Sequence, residues 1–197
     1  MIILINGPSS SGKSTLIDQF IKKSNKEFIK VAFDDILYLI HKVNWSKQLL
    51  SILGENIIKN KKEFFYYNEE SNDKNDLYRI KFNNSYTELL YSMHSFWKIL
   101  IDNGFNIIID HIFLYENWYN DFSSKININN CIKIGIYCDL SILNKREMKR
   151  GDRPLGVAER SSQLVHNHKI VYDFKLNTHK MNKEECINFV FNNLKDL

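Results

Sequence analysis

The chain opens with Ile2-Ile3-Leu4-Ile5-Asn6 running directly into Gly7-Pro8-Ser9-Ser10-Ser11-Gly12-Lys13-Ser14-Thr15, and no other stretch restricts its architecture as tightly. An apolar run without polar alternation suits a strand buried on both faces. The residues that follow the turn, 13–23, carry apolar side chains at helical spacing. Between these two elements the spacing G-x-x-x-x-G-K-[ST] is met at every position. In that pattern the backbone N–H groups of the turn and of the helix N-terminus converge on phosphate oxygens. Gly7 and Gly12 permit backbone conformations and close approaches that a Cβ would obstruct. Lys13 brings a positive charge to the β- and γ-phosphates, and the Ser14 hydroxyl is placed to ligate Mg²⁺. Residues Gly7 through Thr15 are therefore expected to hold a nucleotide. The same cradle serves kinases, ATPases and GTPases; neither an N-K-x-D nor a D-x-x-G sequence in the context of a regulatory GTPase is found.

Three more short apolar runs, at 28–34, 105–110 and 131–138, and a weaker one at 172–178, predict further strands. Helices are expected at 84–102, closed by Asn103-Gly104, and at about 139–150, 154–170 and 182–194. Strands of this type separated by helices predict an α/β layer architecture with a parallel sheet. Residues 56–83 break the pattern, since strand-like sequence flanks the polar Asn68–Asp76 stretch, and a hairpin-like insertion is expected there. With 197 residues, 44% of them hydrophobic, one domain spanning 1–197 is expected.

The second predicted strand ends in Asp34-Asp35. In an open parallel sheet ligands bind at the C-terminal strand edge, so these carboxylates belong on the same edge as the glycine-serine turn. Transfer of a phosphoryl group to an alcohol needs a group that accepts the hydroxyl proton, and Asp34 is the candidate base. Asp35 is expected to be a helix N-cap. Asp110 closes the third strand, as a water-mediated Mg²⁺ ligand or a substrate contact. The neighbouring His111 is either part of an acceptor pocket or a structural hydrogen-bonding group. Arg146, Arg150, Arg153 and Arg160 cluster around Gly151 and Gly156 in residues 143–166, where arginine forks in a closing lid would neutralise charge during transfer. Trp45, Phe96, Trp97 and Tyr115 are candidates to line an aromatic acceptor pocket.

The stretches GPSSSGKS, VAFDDIL, NGFNIIIDHIFL, KRGDRPLGVAERSSQLVH and YDFKLNT occur in the order and approximate spacing of the chloramphenicol phosphotransferase-like family. The resemblance spans nearly the whole chain, and the RGDR-x-x-G-x-A stretch followed by VH and YD is its most discriminating part. It implies a P-loop NTPase, nucleotide kinase-like, three-layer fold with a five-stranded parallel sheet, and an ATP-dependent transfer to a hydroxyl of a small molecule. It implies Asp34 as the base, Lys13, Ser14, Arg150 and Arg153 as phosphate-handling residues, and the Thr178-His179-Lys180 turn beside the adenine. Arg146 and Thr178 are thus assigned with the loop to ATP. A kinase of a nucleotide sugar or of a polynucleotide 5′-hydroxyl, and a nucleotide switch without an acceptor, stand as alternatives.

The net charge of +4 is mild, and the basic KNKK at 59–62 is isolated, so a nucleic-acid partner is not expected. No run approaches the roughly 18 apolar residues of a membrane span. With three cysteines in no paired spacing, the expectation is a cytoplasmic protein with reduced thiols, Cys131 and Cys138 being buried.

Overall fold

Strand-forming runs that are apolar on both sides bury both faces, and a computed structural model shows how this chain does so. It describes residues 1–35, 65–67, 80–82, 84–151 and 155–194. Five strands form one parallel sheet: β1 (Ile2–Asn6), β2 (Ile29–Ala32), β5 (Ile107–His111), β6 (Cys131–Tyr137) and β7 (Phe174–Asn177), in the spatial order β2-β5-β1-β6-β7. β3 (Phe65–Tyr67) and β4 (Ile80–Phe82) pair antiparallel, with Phe65 opposite Phe82, inside the segment where the hairpin-like insertion is expected.

Period-two alternation divides the sheet's side chains between two cores. Ile2, Leu4, Ile107 and Ile109 face α2 (Asn84–Asp102) and α3 (Glu116–Lys125), whose Tyr86, Leu90, Trp97, Trp118 and Phe122 complete that layer. Ile3, Ile5, Ile108, Ile134 and Ile136 face α1 (Lys13–Lys23) and α6 (Lys183–Leu194), which contribute Leu16, Ile17, Phe20, Ile187 and Val190. Three layers result. α4 (Leu140–Arg150) and α5 (Val157–Leu164) follow β6 and carry the arginine segment.

Several boundaries differ from the sequence expectation for local reasons. β2 stops at Ala32 rather than 34 because Phe33 and Asp34 form a turn, fastened by the Phe33 N–H to Asp110 O (2.9 Å). α5 covers 157–164, not 154–170. Gly156 holds a left-handed φ of 94° before it, and beyond it the chain leaves the helix where His166 Nε2 lies 3.0 Å from Ile136 O. Trp97 is fully buried in the core, which removes it from any acceptor pocket. Cys131 is buried but Cys138 only half so, and Trp45 lies outside the described residues. No helix among the described residues is long and apolar enough to cross a membrane.

Candidate active site

The phosphate loop leaves β1 so close to β6 that a side chain at Gly7 has no room: a Cβ there would fall 2.7 Å from Ile136 O. At the other end Gly12 has φ +95°, where L side chains are strained, and it lets the loop turn straight into α1. Ser10 also has a positive φ, 61°, a strained conformation of the kind found at ligand clamps. Lys13 is buried, and its Nζ curls back to donate to Gly7 O (2.8 Å) and Pro8 O (2.9 Å), which fixes a positive charge in the hollow of the loop. Among the described residues, the buried Ser10 and Ser11 hydroxyls have no hydrogen-bond partner. Buried hydroxyls of this kind call for an outside partner, and an anion's oxygens in the loop would supply one.

Register sets the acidic groups. Asp110 lies level with Ile5 of β1 and Ala32 of β2, at the C-terminal end of the sheet. Its side chain shares a face with Ile108 and so points to α1, where Ser14 Oγ donates to Asp110 Oδ2 (2.8 Å) and Lys13 Nζ lies 3.9 Å from Oδ1. Burial pushes the Asp110 carboxyl up from its ordinary range, while Lys13 and the Ser14 hydrogen bond pull it back. His111, one residue on, points to the opposite face. It is fully buried, stacked on Phe113 (3.7 Å, 12°) and 3.2 Å from His94 Nε2, so it belongs to the core rather than to an acceptor pocket.

The two second-strand carboxylates have separate surroundings. Asp35 Oδ2 accepts the Ala32 N–H (2.7 Å), an upstream amide, so the side chain closes its own turn. Burial pushes its carboxyl up from the ordinary range, with the Ala32 hydrogen bond opposing and Asp34 adding. Asp34 is exposed and lines one recess with Ser9–Thr15, Asp110, Ile112 and Arg150.

A second recess shares Ser10–Gly12, Thr15 and Arg150, and its further lining includes Leu16, Arg146, Thr178, Met181 and Cys186 with Lys149 and Lys183. Arg146 ties its walls together: its guanidinium donates to Ser11 O (3.3 Å), Thr178 Oγ1 (3.0 Å) and Thr178 O (2.7 Å), while Thr178 Oγ1 donates to Ser11 O (2.7 Å). The structure thus brings together the loop, Asp34, Asp110, Arg146, Arg150 and Thr178. Arg153 lies outside the described residues.

Sequence reasoning missed the groups that hold this edge in place. Asn6, fully buried at the end of β1, donates to Tyr172 OH (2.6 Å) and Val165 O (3.1 Å) and accepts the Phe113 N–H (3.1 Å). His166 Nδ1 lies 3.2 Å from the same Tyr172 hydroxyl. The buried Glu147 accepts from Gly156 N (2.7 Å) and Ala158 N (2.8 Å), which caps the start of α5, and Ser9 N donates to Ser161 Oγ (2.9 Å). Asn6 carried a visible signal, a polar side chain ending an apolar strand; Ser161 carried none.

The fold is shared with solved kinases of low sequence identity. A sugar kinase from Janibacter sp. HTCC2649 superposes with a TM-score of 0.62 at 12% identity, over 98% of this chain and 93% of that one. A gluconokinase from Sinorhizobium meliloti 1021 gives 0.59 at 10% identity, over 99% and 91%. Shikimate kinase from Aquifex aeolicus vf5 gives 0.53 at 13% identity, over 100% and 97%. Among curated proteins none matches. At these identities the likeness shows the P-loop kinase fold alone. The family is shown by the sequence: the profile of the chloramphenicol phosphotransferase-like proteins matches residues 1–195, from the first strand through the phosphate loop and the arginine segment to the last helix, and the chain belongs to that family.

Proposed function

We propose that the protein is an ATP-dependent O-phosphotransferase that moves the γ-phosphoryl group of MgATP to a hydroxyl of a small molecule. The observation that carries this reading is the position of Asp34: an exposed carboxylate in the same recess as the phosphate loop, Asp110 and Arg150, while Asp35 is turned back onto Ala32. The nucleoside would occupy the recess of Leu16, Arg146, Thr178 and Met181, and its phosphates would run along Ser10–Thr15 toward Asp34.

Asp34 would align the acceptor hydroxyl and take its proton as the oxygen attacks phosphorus. Lys13, held by the Gly7 and Pro8 carbonyls, would face the β- and γ-phosphates, and Arg150, with Arg153, would neutralise charge spreading over the transferred group. The hydrogen-bonded oxygens of Ser14 and Asp110 form a hard donor pair that suits Mg²⁺, directly or through water. No group of three or more His, Cys, Asp or Glu able to hold a metal occurs among the described residues, so phosphate and water would complete the shell. Bound there, Mg²⁺ would supply positive charge that offsets the negative charge of the phosphates during transfer.

The test is transfer of labelled γ-phosphate from MgATP across a panel of hydroxyl compounds: chloramphenicol, sugars, nucleosides, nucleotide sugars and a 5′-hydroxyl oligonucleotide. A labelled small-molecule product that disappears with Asp34→Asn, while ATP still binds, is the expected result. Nucleotide binding with no transfer to any acceptor, unchanged in the variant, would point instead to a switch.

A further inference from the structure

Besides its basic residues, the arginine segment presents to the phosphate loop a hydroxyl from its second helix. Ser161 Oγ accepts the N–H of Ser9 (2.9 Å) and donates to Ala158 O (3.0 Å) within its own helix; Ser9 and Ser161 are 2% and 3% exposed. α5 is a firm support for this contact. Glu147 from α4 binds the Gly156 and Ala158 amides at its start, and at its end Val165 O accepts from Asn6, the residue just before the loop.

Ser9 also has a defined place along the loop. It lines the recess of Asp34 and Asp110 and is absent from the recess of Arg146, Thr178 and Met181. With the nucleoside in the latter, Ser9 stands at the end of the loop that meets the terminal phosphate. We propose that Ser161 is a positioning residue which, by accepting the Ser9 N–H, sets the transfer end of the phosphate loop for a triphosphate. This rests on the kinase reading of the site. Its consequence is a selective one: without the hydroxyl, the share of the ordering that Ser161 gives Ser9 falls to the ligand that reaches Ser9, and a diphosphate does not.

The test is titration calorimetry of the full chain with the imido analogue of ATP and with ADP, both with Mg²⁺, alongside thermal melting. For Ser161→Ala the expected result is about a tenfold loss of affinity for the triphosphate analogue, the size of one buried hydrogen bond, with ADP binding within about twofold of wild type. Ser161→Thr, which keeps the hydroxyl, should restore triphosphate binding. Ser161→Cys, close in size with a weak acceptor, should shift it in the same direction as alanine, and serves if the alanine variant does not fold. Equal losses for both nucleotides would mark Ser161 as a structural residue only, and unchanged affinity for both would remove it from the site; either overturns the inference and leaves the kinase reading intact. Wild-type protein that binds neither nucleotide would overturn the reading of the recess itself, and this inference with it.

Discussion

Glu147 offers the cleanest measure of what holds the arginine segment together. It is 1% exposed on α4, and both carboxylate oxygens are used: Oε2 accepts from Gly156 N (2.7 Å) and Oε1 from Ala158 N (2.8 Å). The two amides belong to the first turn of α5, which has no side-chain cap of its own. Glu147→Gln keeps the size and one acceptor, but sets an NH₂ group against an N–H that has no other route to solvent. Hydrogen bonds to a charged acceptor contribute about 1.5–3 kcal/mol each, so losing one of the two should cost about 2 kcal/mol. For a chain of this length that lowers the melting temperature by roughly 4–8 °C. Glu147→Ala removes both acceptors and opens a void, and should cost about twice as much. Urea unfolding of the three proteins measures this directly. A glutamine variant with the wild-type midpoint would refute the argument, because it would mean that the two amides gain nothing from the carboxylate.

Three further outcomes are expected. Gly7→Ala drives a Cβ into the Ile136 backbone and should abolish nucleotide binding by calorimetry, with about 1–3 kcal/mol lost in unfolding. Arg146→Lys leaves one ammonium where a fork spans Ser11 O and both oxygens of Thr178; KM for ATP should rise about tenfold while kcat changes less than threefold in steady-state assays. Stability should also fall in acid. His94 is lowered from 6.5 to about 4, chiefly by burial and despite Asp121, with Lys125 and His111 also facing it. As pH drops from 6.5 through 4 the unfolded chain binds the proton first, so about 3 kcal/mol is lost across that window, and His94→Asn should flatten the unfolding profile there.

The parts of the site legible in the sequence are those where backbone geometry dictates residue type. The glycines and the lysine-serine pair of the loop are required by close approach and by charge, and they stand in one continuous stretch. Asp110 and His111 show where such reading ends. Adjacent in sequence, both suit a site, yet alternation sends one to α1 and the other to α2. That Asp110 shares a face with Ile108 was readable; that this face carries α1 followed only from the strand order. For Asp34 and Asp35 the sequence suggests a base and a helix N-cap, but only the turn at Phe33 shows that the Asp35 carboxylate goes to an upstream amide. Ser161 and Glu147 act across 152 and 9 positions through backbone amides, and a bond to an amide leaves no trace in the partner's residue type.

Three carboxylates at one sheet edge would repel one another and the phosphates between them, and the arrangement of their partners resolves this. Asp110 is answered by Ser14 and by Lys13, the same lysine that the loop carbonyls hold. Asp35 is answered by the Ala32 amide. Each of these two is buried enough that desolvation raises its proton affinity, and each is offset by a hydrogen bond. Asp34 is the exposed one of the three and lines the recess, so under the proposed reading it is the carboxylate an entering hydroxyl would meet. A base that must take a proton and give it up again is better left in reach of water than locked to an amide. Under the proposed kinase reading, the folding contacts of its two neighbours would serve the chemistry, by committing the carboxylates that would otherwise compete for the acceptor.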